Sequence, residues 1–149
     1  MYHTVIRMVP NRMDAEDIVQ ESFVKVFQKL HTFKGDSTLG AWIKRITINN
    51  ALNHIRKNKR VIMEDLNTQP DVPAPQVEKN SLPLDPKRIH QAIKQLPEGC
   101  RVVFNLRLLE GFQHKEIADF MGITESTSKT QYRRAKQLLQ KALKEELNY

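Results

Sequence analysis

The chain has a single cysteine, Cys100, among its 149 residues. One thiol cannot form an intrachain disulfide or a Cys-x-x-Cys motif, so a disulfide framework and a cysteine-based zinc or redox site are excluded. Runs of eighteen or more apolar residues are also missing, and the opening MYHTVIRMVP lacks a signal-peptide core followed by a small-residue cleavage site. These absences predict a soluble, non-exported protein of a reducing cytoplasm, with no membrane insertion.

Acidic residues are absent from residues 37–60, which hold six basic residues, four asparagines and the only tryptophan. A solvated helix face usually mixes both charge signs, because Glu and Lys four residues apart stabilise each other. The segment therefore favours a nucleic-acid-binding helix over the alternative of an ordinary basic surface helix. At helical spacing the polar stripe consists of Arg45, Asn49, Asn53, Arg56 and Arg60. The opposite, apolar stripe consists of Leu39, Trp42, Ile43 and Ile46.

Motifs for catalysis are missing as well. The sequence has no glycine-rich phosphate loop and no HExxH. The histidines do not have the spacing of metal ligands; they are His3, His31, His54, His90 and His114. The chain is therefore predicted not to be an enzyme and to need no metal or cofactor.

Charge divides the chain into three parts. Residues 1–60 carry 11 basic and 5 acidic side chains, residues 61–85 carry 1 and 5, and residues 86–149 carry 12 and 7. Five of the seven prolines fall within 61–86. Because proline disfavours helix in the residue before it, the acidic stretch is predicted to be an extended linker between two basic domains. Either basic domain could bind a phosphate backbone.

Periodicity predicts an all-α fold with two small helical domains, residues 1–60 and 86–149, joined by the linker 61–85. Strand-like alternation is not seen. Asp14 is a plausible N-cap for a first long helix, and Ser37 or Thr38 for a second that ends near Asn58. The apolar face predicted for the first long helix consists of Val19, Phe23, Val26, Phe27 and Leu30.

From His114 onward the sequence HKEIADFMGITESTSKTQYRRAKQLL fits a helix-turn-helix. Ala118 suits close helix contact, and Gly122 suits the sharp turn. The second helix is predicted to begin near Thr124 or Glu125 and to present hydroxyl and basic groups that reach phosphates and guanine edges. Those residues are Ser126, Thr127, Lys129, Thr130, Arg133 and Arg134. An amphipathic helix pair in a bundle is the alternative.

Ser128 departs from the usual helix-turn-helix pattern, because a branched apolar residue normally packs at that position. A serine there can hydrogen-bond to its own helix. We therefore expect a weaker core at this position and an unchanged fold.

Five features in their order along the chain resemble the bacterial extracytoplasmic-function (group IV) sigma factors. They are DAED…QE, Phe-x-Gly-Asp, Trp-Ile…Ile-x-x-Asn, a Pro-rich linker and a helix-turn-helix. The resemblance covers roughly residues 14–143. It implies a specificity subunit of RNA polymerase, with sigma region 2 at the amino end and sigma region 4 at the carboxyl end. Members usually have some twenty further residues before the DAED helix, so the region 2 core is expected to be under-packed or open to a partner.

The resemblance also implies roles for individual residues. The clamp helices of the largest polymerase subunit would contact Asp17, Gln20, Glu21 and Val24. The unpaired −10 strand would contact Phe33, Lys34, Gly35, Asp36, Ser37, Trp42, Arg45, Asn49, Asn53 and Arg56. For Trp42, packing in the core is favoured over stacking on a base because it lies on the apolar stripe. The −35 element would meet the helix-turn-helix at the residues given above and at Glu125.

Further partners implied by the resemblance are the polymerase flap and an anti-sigma factor. The linker is expected either to occupy the RNA exit path or to act as a plain tether. The main alternative function is a freestanding helix-turn-helix regulator of transcription. It is disfavoured because such a regulator has no use for the acid-free helix and because no heptad seam for dimerisation is present.

Overall fold

The computed structural model describes residues 1–58 and 85–147, with side chains described as far as residue 144. Contacts divide the chain into two compact units, Met1–Arg60 and Val61–Tyr149. All regular secondary structure in the described ranges is helical, which confirms the predicted all-α class. Arg60 and nearly all of the predicted linker lie outside the described residues.

The first unit contains α1 (Tyr2–Met8), α2 (Arg12–Lys29), a 3₁₀ turn (Leu30–Thr32) and α3 (Leu39–Asn58). The prediction that Asp14 caps α2 was wrong, because the helix starts earlier. Asn11 has an extended backbone, and its side-chain oxygen accepts a hydrogen bond from the Asp14 amide at 3.1 Å. Asp14 instead lies in the first turn of α2, where a carboxylate interacts favourably with the helix dipole.

The buried face of α2 differs from the predicted one. Ala15, Ile18, Ser22 and Val26 are buried, whereas Phe23, Phe27 and Leu30 are 41%, 74% and 47% exposed. This buried face packs against α3 and includes one polar residue, Ser22. The Ser22 hydroxyl, which donates to the Ile18 carbonyl oxygen at 2.6 Å, also accepts from Asn50 Nδ2 at 3.1 Å. Because this buried hydroxyl is satisfied, a polar residue can occupy the centre of the α2–α3 contact.

Thr38 caps α3, as predicted, since its Oγ1 accepts from the Ala41 amide at 3.2 Å. The packed side of α3 lies further around the helix than the predicted apolar stripe. Its buried residues are Thr47, Ile48, Asn50, Ala51, Leu52 and Ile55. On the predicted stripe, Trp42, Ile43 and Ile46 are half-buried and Leu39 is 45% exposed. That prediction was therefore wrong for Leu39 and only partly right for the other three residues.

The second unit contains α4 (Pro86–Lys94), α5 (Glu98–Phe104), a π-helical turn (Asn105–Leu109), α6 (His114–Met121) and α7 (Glu125–Leu147). Asp85 caps α4 by accepting from the Lys87 amide at 3.0 Å. The core joins α4, α5 and α7 through Ala92, Ile93, Leu96, Cys100, Phe104, Ala135 and Leu139. Cys100 is a free thiol inside this core, and burial raises its pKa.

Candidate nucleic-acid interface

The polar stripe of α3 lies on the surface of the first unit. Arg45, Asn49, Asn53 and Arg56 are all exposed. Asn50 is the exception among the helix's central asparagines, because it is only 7% exposed and bonds to Ser22. The fold thus separates structural Asn50 from Asn49 and Asn53, whose amides are able to donate to and accept from a base edge.

The loop before α3 lies beside the amino end of this stripe. Lys34, Gly35, Asp36 and Ser37 are exposed, and Gly35 has a φ of +77°, in the region that favours glycine. Phe33 and Trp42 are half-buried, and their ring centroids are 5.3 Å apart at an interplanar angle of 47°. Trp42 therefore packs against the loop's own aromatic residue while part of its surface stays accessible.

The α2 face predicted to contact protein is exposed at every position, namely Asp17, Gln20, Glu21 and Val24. Glu21 Oε1 forms an ion pair with Lys25 Nζ at 2.8 Å, and the hydrogen bond from Lys25 lowers the pKa of the Glu21 carboxyl. Met13 is 75% exposed and lies four residues before Asp17, so it extends the same face. Sequence reasoning missed Met13, although its spacing from Asp17 was a usable signal.

An open cleft of about 260 Å³ lies between α2 and α3. Its lining residues are Glu21, Lys25, Asn50, Asn53, His54, Arg56 and Lys57. Lys25 Nζ donates to Asn50 Oδ1, so this cation belongs to the cleft as well as to the α2 surface. Sequence reasoning missed Lys25, because only its spacing from Glu21 was visible and that spacing is common on ordinary helices.

The turn of the helix-turn-helix has the predicted geometry. Gly122 has φ 67° and ψ 34°, and the Ile123 amide donates to the Ala118 carbonyl oxygen at 3.1 Å. This left-handed end stops α6 and redirects the chain. Thr124 Oγ1 then accepts from the Thr127 amide at 3.1 Å, which places the start of α7 at the predicted position.

The first turns of α7 present a polar stripe to solvent. Its exposed members are Glu125, Ser126, Lys129, Thr130 and Arg133. Thr127 and Arg134 are half-buried, so the prediction that both point fully outward was only partly right. Lys136 is exposed three residues after Arg133, and its Nζ lies 4.7 Å from the Tyr132 ring centroid. Sequence reasoning did not include Lys136, although its spacing continues the stripe.

Family models match both units. Residues 1–61 match the model of sigma-70 region 2, and residues 87–139 match that of sigma-70 region 4. The ECF RNA polymerase sigma-E factor of Haemophilus influenzae is 30% identical, and the match covers 87% of this chain and 75% of that protein. The chain belongs to the extracytoplasmic-function (ECF) family of RNA polymerase sigma factors.

Two further comparisons agree with this assignment. RNA polymerase sigma factor SigV of Bacillus subtilis is 30% identical to this chain. The match covers 97% of this chain and 85% of SigV. The solved structure of the Bartonella quintana sigma factor RpoE in complex with the anti-sigma factor NepR matches with a TM-score of 0.66. That match has 26% identity and covers 96% of this chain and 89% of RpoE. The protein is thus a transcription initiation factor that directs promoter recognition.

Ser128 of this sigma factor has a side-chain partner on the other helix of the helix-turn-helix, which the sequence did not reveal. It is fully buried, and its hydroxyl oxygen lies 2.9 Å from His114 Nδ1 at the start of α6. His114 explains why a serine is tolerated at this buried position, because its imidazole satisfies the Ser128 hydroxyl across the helix-turn-helix.

Within residues 1–58 and 85–147 the sigma factor has no group of three or more His, Cys, Asp or Glu residues that could hold a metal ion. No helix in these ranges is both long enough and apolar enough to cross a membrane.

Proposed function

We propose that the first unit of this sigma factor carries two surfaces with separate roles, polymerase binding on α2 and −10 strand binding on α3. The observation that carries the proposal is the division of charge and amide groups between neighbouring helices. The exposed face of α2 presents Asp17, Gln20 and Glu21, whereas α3 has no acidic residue from end to end. A surface for one partner has no need of this segregation.

The α2 face suits a basic protein surface. Its two carboxylates are exposed, and Met13 and Val24 add apolar area that is 75% and 54% exposed. Apolar side chains rimmed by charge are typical of protein interfaces. We assign this face to the clamp helices of the largest polymerase subunit, and the polymerase flap to the second unit.

The α3 stripe suits unpaired bases and their phosphates. Separating a duplex costs roughly 1.4 kcal/mol of stacking per base step, and capturing a base recovers about 1–3 kcal/mol by stacking alone. The free energy recovered from one captured base is therefore comparable to the cost of opening about one or two base steps, so base capture can nucleate a bubble. Asn49 and Asn53 supply edge contacts, and Arg45 and Arg56 supply phosphate contacts. The loop 33–38 and Trp42 lie at the amino end of this stripe.

The exposed stripe of α7 suits the major groove of the −35 element. Short hydroxyl groups at Ser126 and Thr130 and the cations of Lys129 and Arg133 reach phosphates and base edges in such a helix. Glu125 begins this stripe at the start of the helix, and half-buried Thr127 borders it. Arg134 is assigned a lesser role than Arg133, since it is half-buried.

The protein is proposed to act without catalysis of its own and without a metal or cofactor, supplying specificity to the polymerase. Its place of action is the cytoplasm, where promoter DNA and polymerase meet. Regulation by an anti-sigma factor is proposed from its likeness to the RpoE chain that was solved with NepR. A freestanding regulator would need only the second unit, so the two dissimilar surfaces of the first unit speak against that alternative.

Reconstituted transcription tests the proposal. The purified chain is mixed with core RNA polymerase, promoters are selected from random duplexes, and melting is mapped by permanganate footprinting. We expect copurification with the core, protection near −35 and reactive thymines near −10. Duplex binding by the free chain without any effect on the core would instead support the freestanding regulator.

A further inference from the structure

A polar contact joins the two helices of the helix-turn-helix. His114 is the first residue of α6, and its Nδ1 lies 2.9 Å from the hydroxyl of Ser128 on α7. Ser128 has no exposed surface, and His114 is half-buried. The His114 ring also meets Tyr132 edge-on, with centroids 5.5 Å apart and an interplanar angle of 63°.

The spacing of the two α7 partners gives this contact a direction. Ser128 and Tyr132 are four residues apart, so both lie on the face of α7 that is turned toward α6. The hydroxyl anchors one side of the imidazole and the aromatic ring covers another. An apolar side chain in place of Ser128 alone would leave Nδ1 of His114 without this partner, so the contact holds the two helices only when its two members match.

The stripe of α7 that is proposed to contact DNA lies on the same two helical turns as Ser128 and Tyr132. Lys129 directly follows Ser128, and Arg133 directly follows Tyr132. A rotation of α7 about its axis therefore moves these side chains by the same angle as the contact residues. Small displacements matter here, because bidentate readout of a base edge depends on geometry.

We propose that His114 and Ser128 form a matched positioning pair whose hydrogen bond sets the rotation of α7 against α6, and with it the fit of Lys129 and Arg133 to the −35 duplex. The inference rests on the proposed −35 role of α7. It makes His114 a determinant of promoter affinity even though its own side chain binds within the protein. It also explains how a serine functions where a branched apolar residue is usual.

A double-mutant cycle in the reconstituted holoenzyme tests the pair. Wild type, His114→Phe, Ser128→Val and the double variant are compared for affinity to a duplex selected by the wild-type holoenzyme, together with hydroxyl-radical footprints over −35. His114→Phe leaves the buried hydroxyl of Ser128 without its partner, and Ser128→Val does the same to the half-buried imidazole of His114. Each single change is expected to weaken binding about tenfold. The double variant removes both groups and is expected to return to within about threefold of wild type.

Two further variants separate positioning from general stability. His114→Asn keeps a hydrogen-bonding group near the position of Nδ1. It is expected to retain most of the affinity, even if it lowers the unfolding temperature as much as His114→Phe does. His90→Phe makes the same substitution at an exposed histidine of α4 and is expected to leave binding unchanged.

Losses that simply add in the double variant, or affinity that follows unfolding temperature in every variant including His114→Asn, would overturn the pairing. Failure of the proposed function looks different, since the wild-type holoenzyme would then select no −35 sequence and give no footprint there. If the other variants cannot be purified in a folded form, the comparison of His114→Asn with wild type decides. A loss of affinity near tenfold in His114→Asn would refute the proposal.

Discussion

At the scale of the residue, Asn49 and Asn50 are neighbours with opposite surroundings. Asn49 is exposed, whereas Asn50 is buried and bonds to Ser22 and Lys25. We predict that Asn49→Ala impairs open-complex formation while the free energy of unfolding changes by no more than about 0.5 kcal/mol. Permanganate reactivity of the −10 thymines measures the first effect, and denaturant unfolding measures the second.

Asn50→Ala is the matched comparison, because it deletes the same amide one position along the helix. It is expected to lower the free energy of unfolding by about 1–3 kcal/mol, since the buried Ser22 hydroxyl loses a donor. Normal melting by the Asn49 variant would remove Asn49 from the −10 site. An unchanged free energy of unfolding in Asn50→Ala would show that the buried contact contributes little to the stability of the fold.

Among the helices and turns, most of the predicted helix ends were right because capping signals are local, although Asn11 and not Asp14 caps α2. Thr38, Gly122 and Thr124 occupy the predicted end positions of their helices. The buried side of α2 could not be predicted in this way. Hydrophobicity pointed to Phe23 and Phe27, but the buried face includes Ser22, whose hydroxyl bonds to a partner 28 residues away.

The same distinction applies to the candidate interface. The surface residues of α3 were predictable, because lack of acidic residues and regular spacing are both visible in the sequence. The roles of Ser128 and Lys25 were not, since each depends on a partner on another helix, His114 and Asn50 respectively. Sequence patterns predict features of a residue's own helix, whereas the roles of Ser128 and Lys25 depend on contacts between helices.

The surface of α2 that we propose to contact polymerase gives a prediction for a whole helix face. Charge reversals Asp17→Lys and Glu21→Lys are expected to reduce copurification with core polymerase, most strongly together, because like charges replace attraction to a basic partner. Glu21→Lys also breaks the ion pair with Lys25, so Asp17→Lys is the cleaner variant. Asp119→Lys, on the exposed side of α6, controls for the change in net charge. Undiminished copurification of the double variant would remove this face from the interface.

The contact between α6 and α7 predicts a dependence on pH. Partial burial and the charges of Arg107, Lys129 and Lys136 lower the pKa of His114 below its usual 6.5, against a smaller opposing effect of Glu125. The unfolded chain therefore binds this proton more readily than the folded chain does. Stability from neutral His114 is fully present above about pH 6.5 and declines as pH falls through that value towards the lower folded pKa.

Denaturant unfolding of wild type and His114→Phe, at about pH 7.5 and about pH 5.5, measures this effect. The advantage of wild type over the variant is expected to shrink at the lower pH. His90→Phe, at an exposed site, accounts for the loss of an imidazole as such. An advantage that stays constant or grows on acidification would contradict the assignment of a neutral His114 in the folded protein.

Each of the two compact units carries one of the proposed DNA-binding surfaces, the stripe on α3 in the first and the stripe on α7 in the second. Each surface is complete within its unit, because all of its side chains come from one helix or the loop beside it. The two promoter elements are therefore expected to contribute separately to one complex, with RNA polymerase holding both units in place.

This separation predicts how variants of the two surfaces combine. Arg133→Ala is expected to weaken promoter binding by about 1–3 kcal/mol through loss of a −35 contact, and Asn49→Ala to reduce melting at −10. Because the residues belong to different units, their free-energy effects on open-complex formation should add within roughly 0.5 kcal/mol. Transcription from a selected promoter by wild type, both single variants and the double variant measures the sum. A freestanding regulator would lose duplex binding with Arg133→Ala and show no response to Asn49→Ala, since only the second unit would touch DNA.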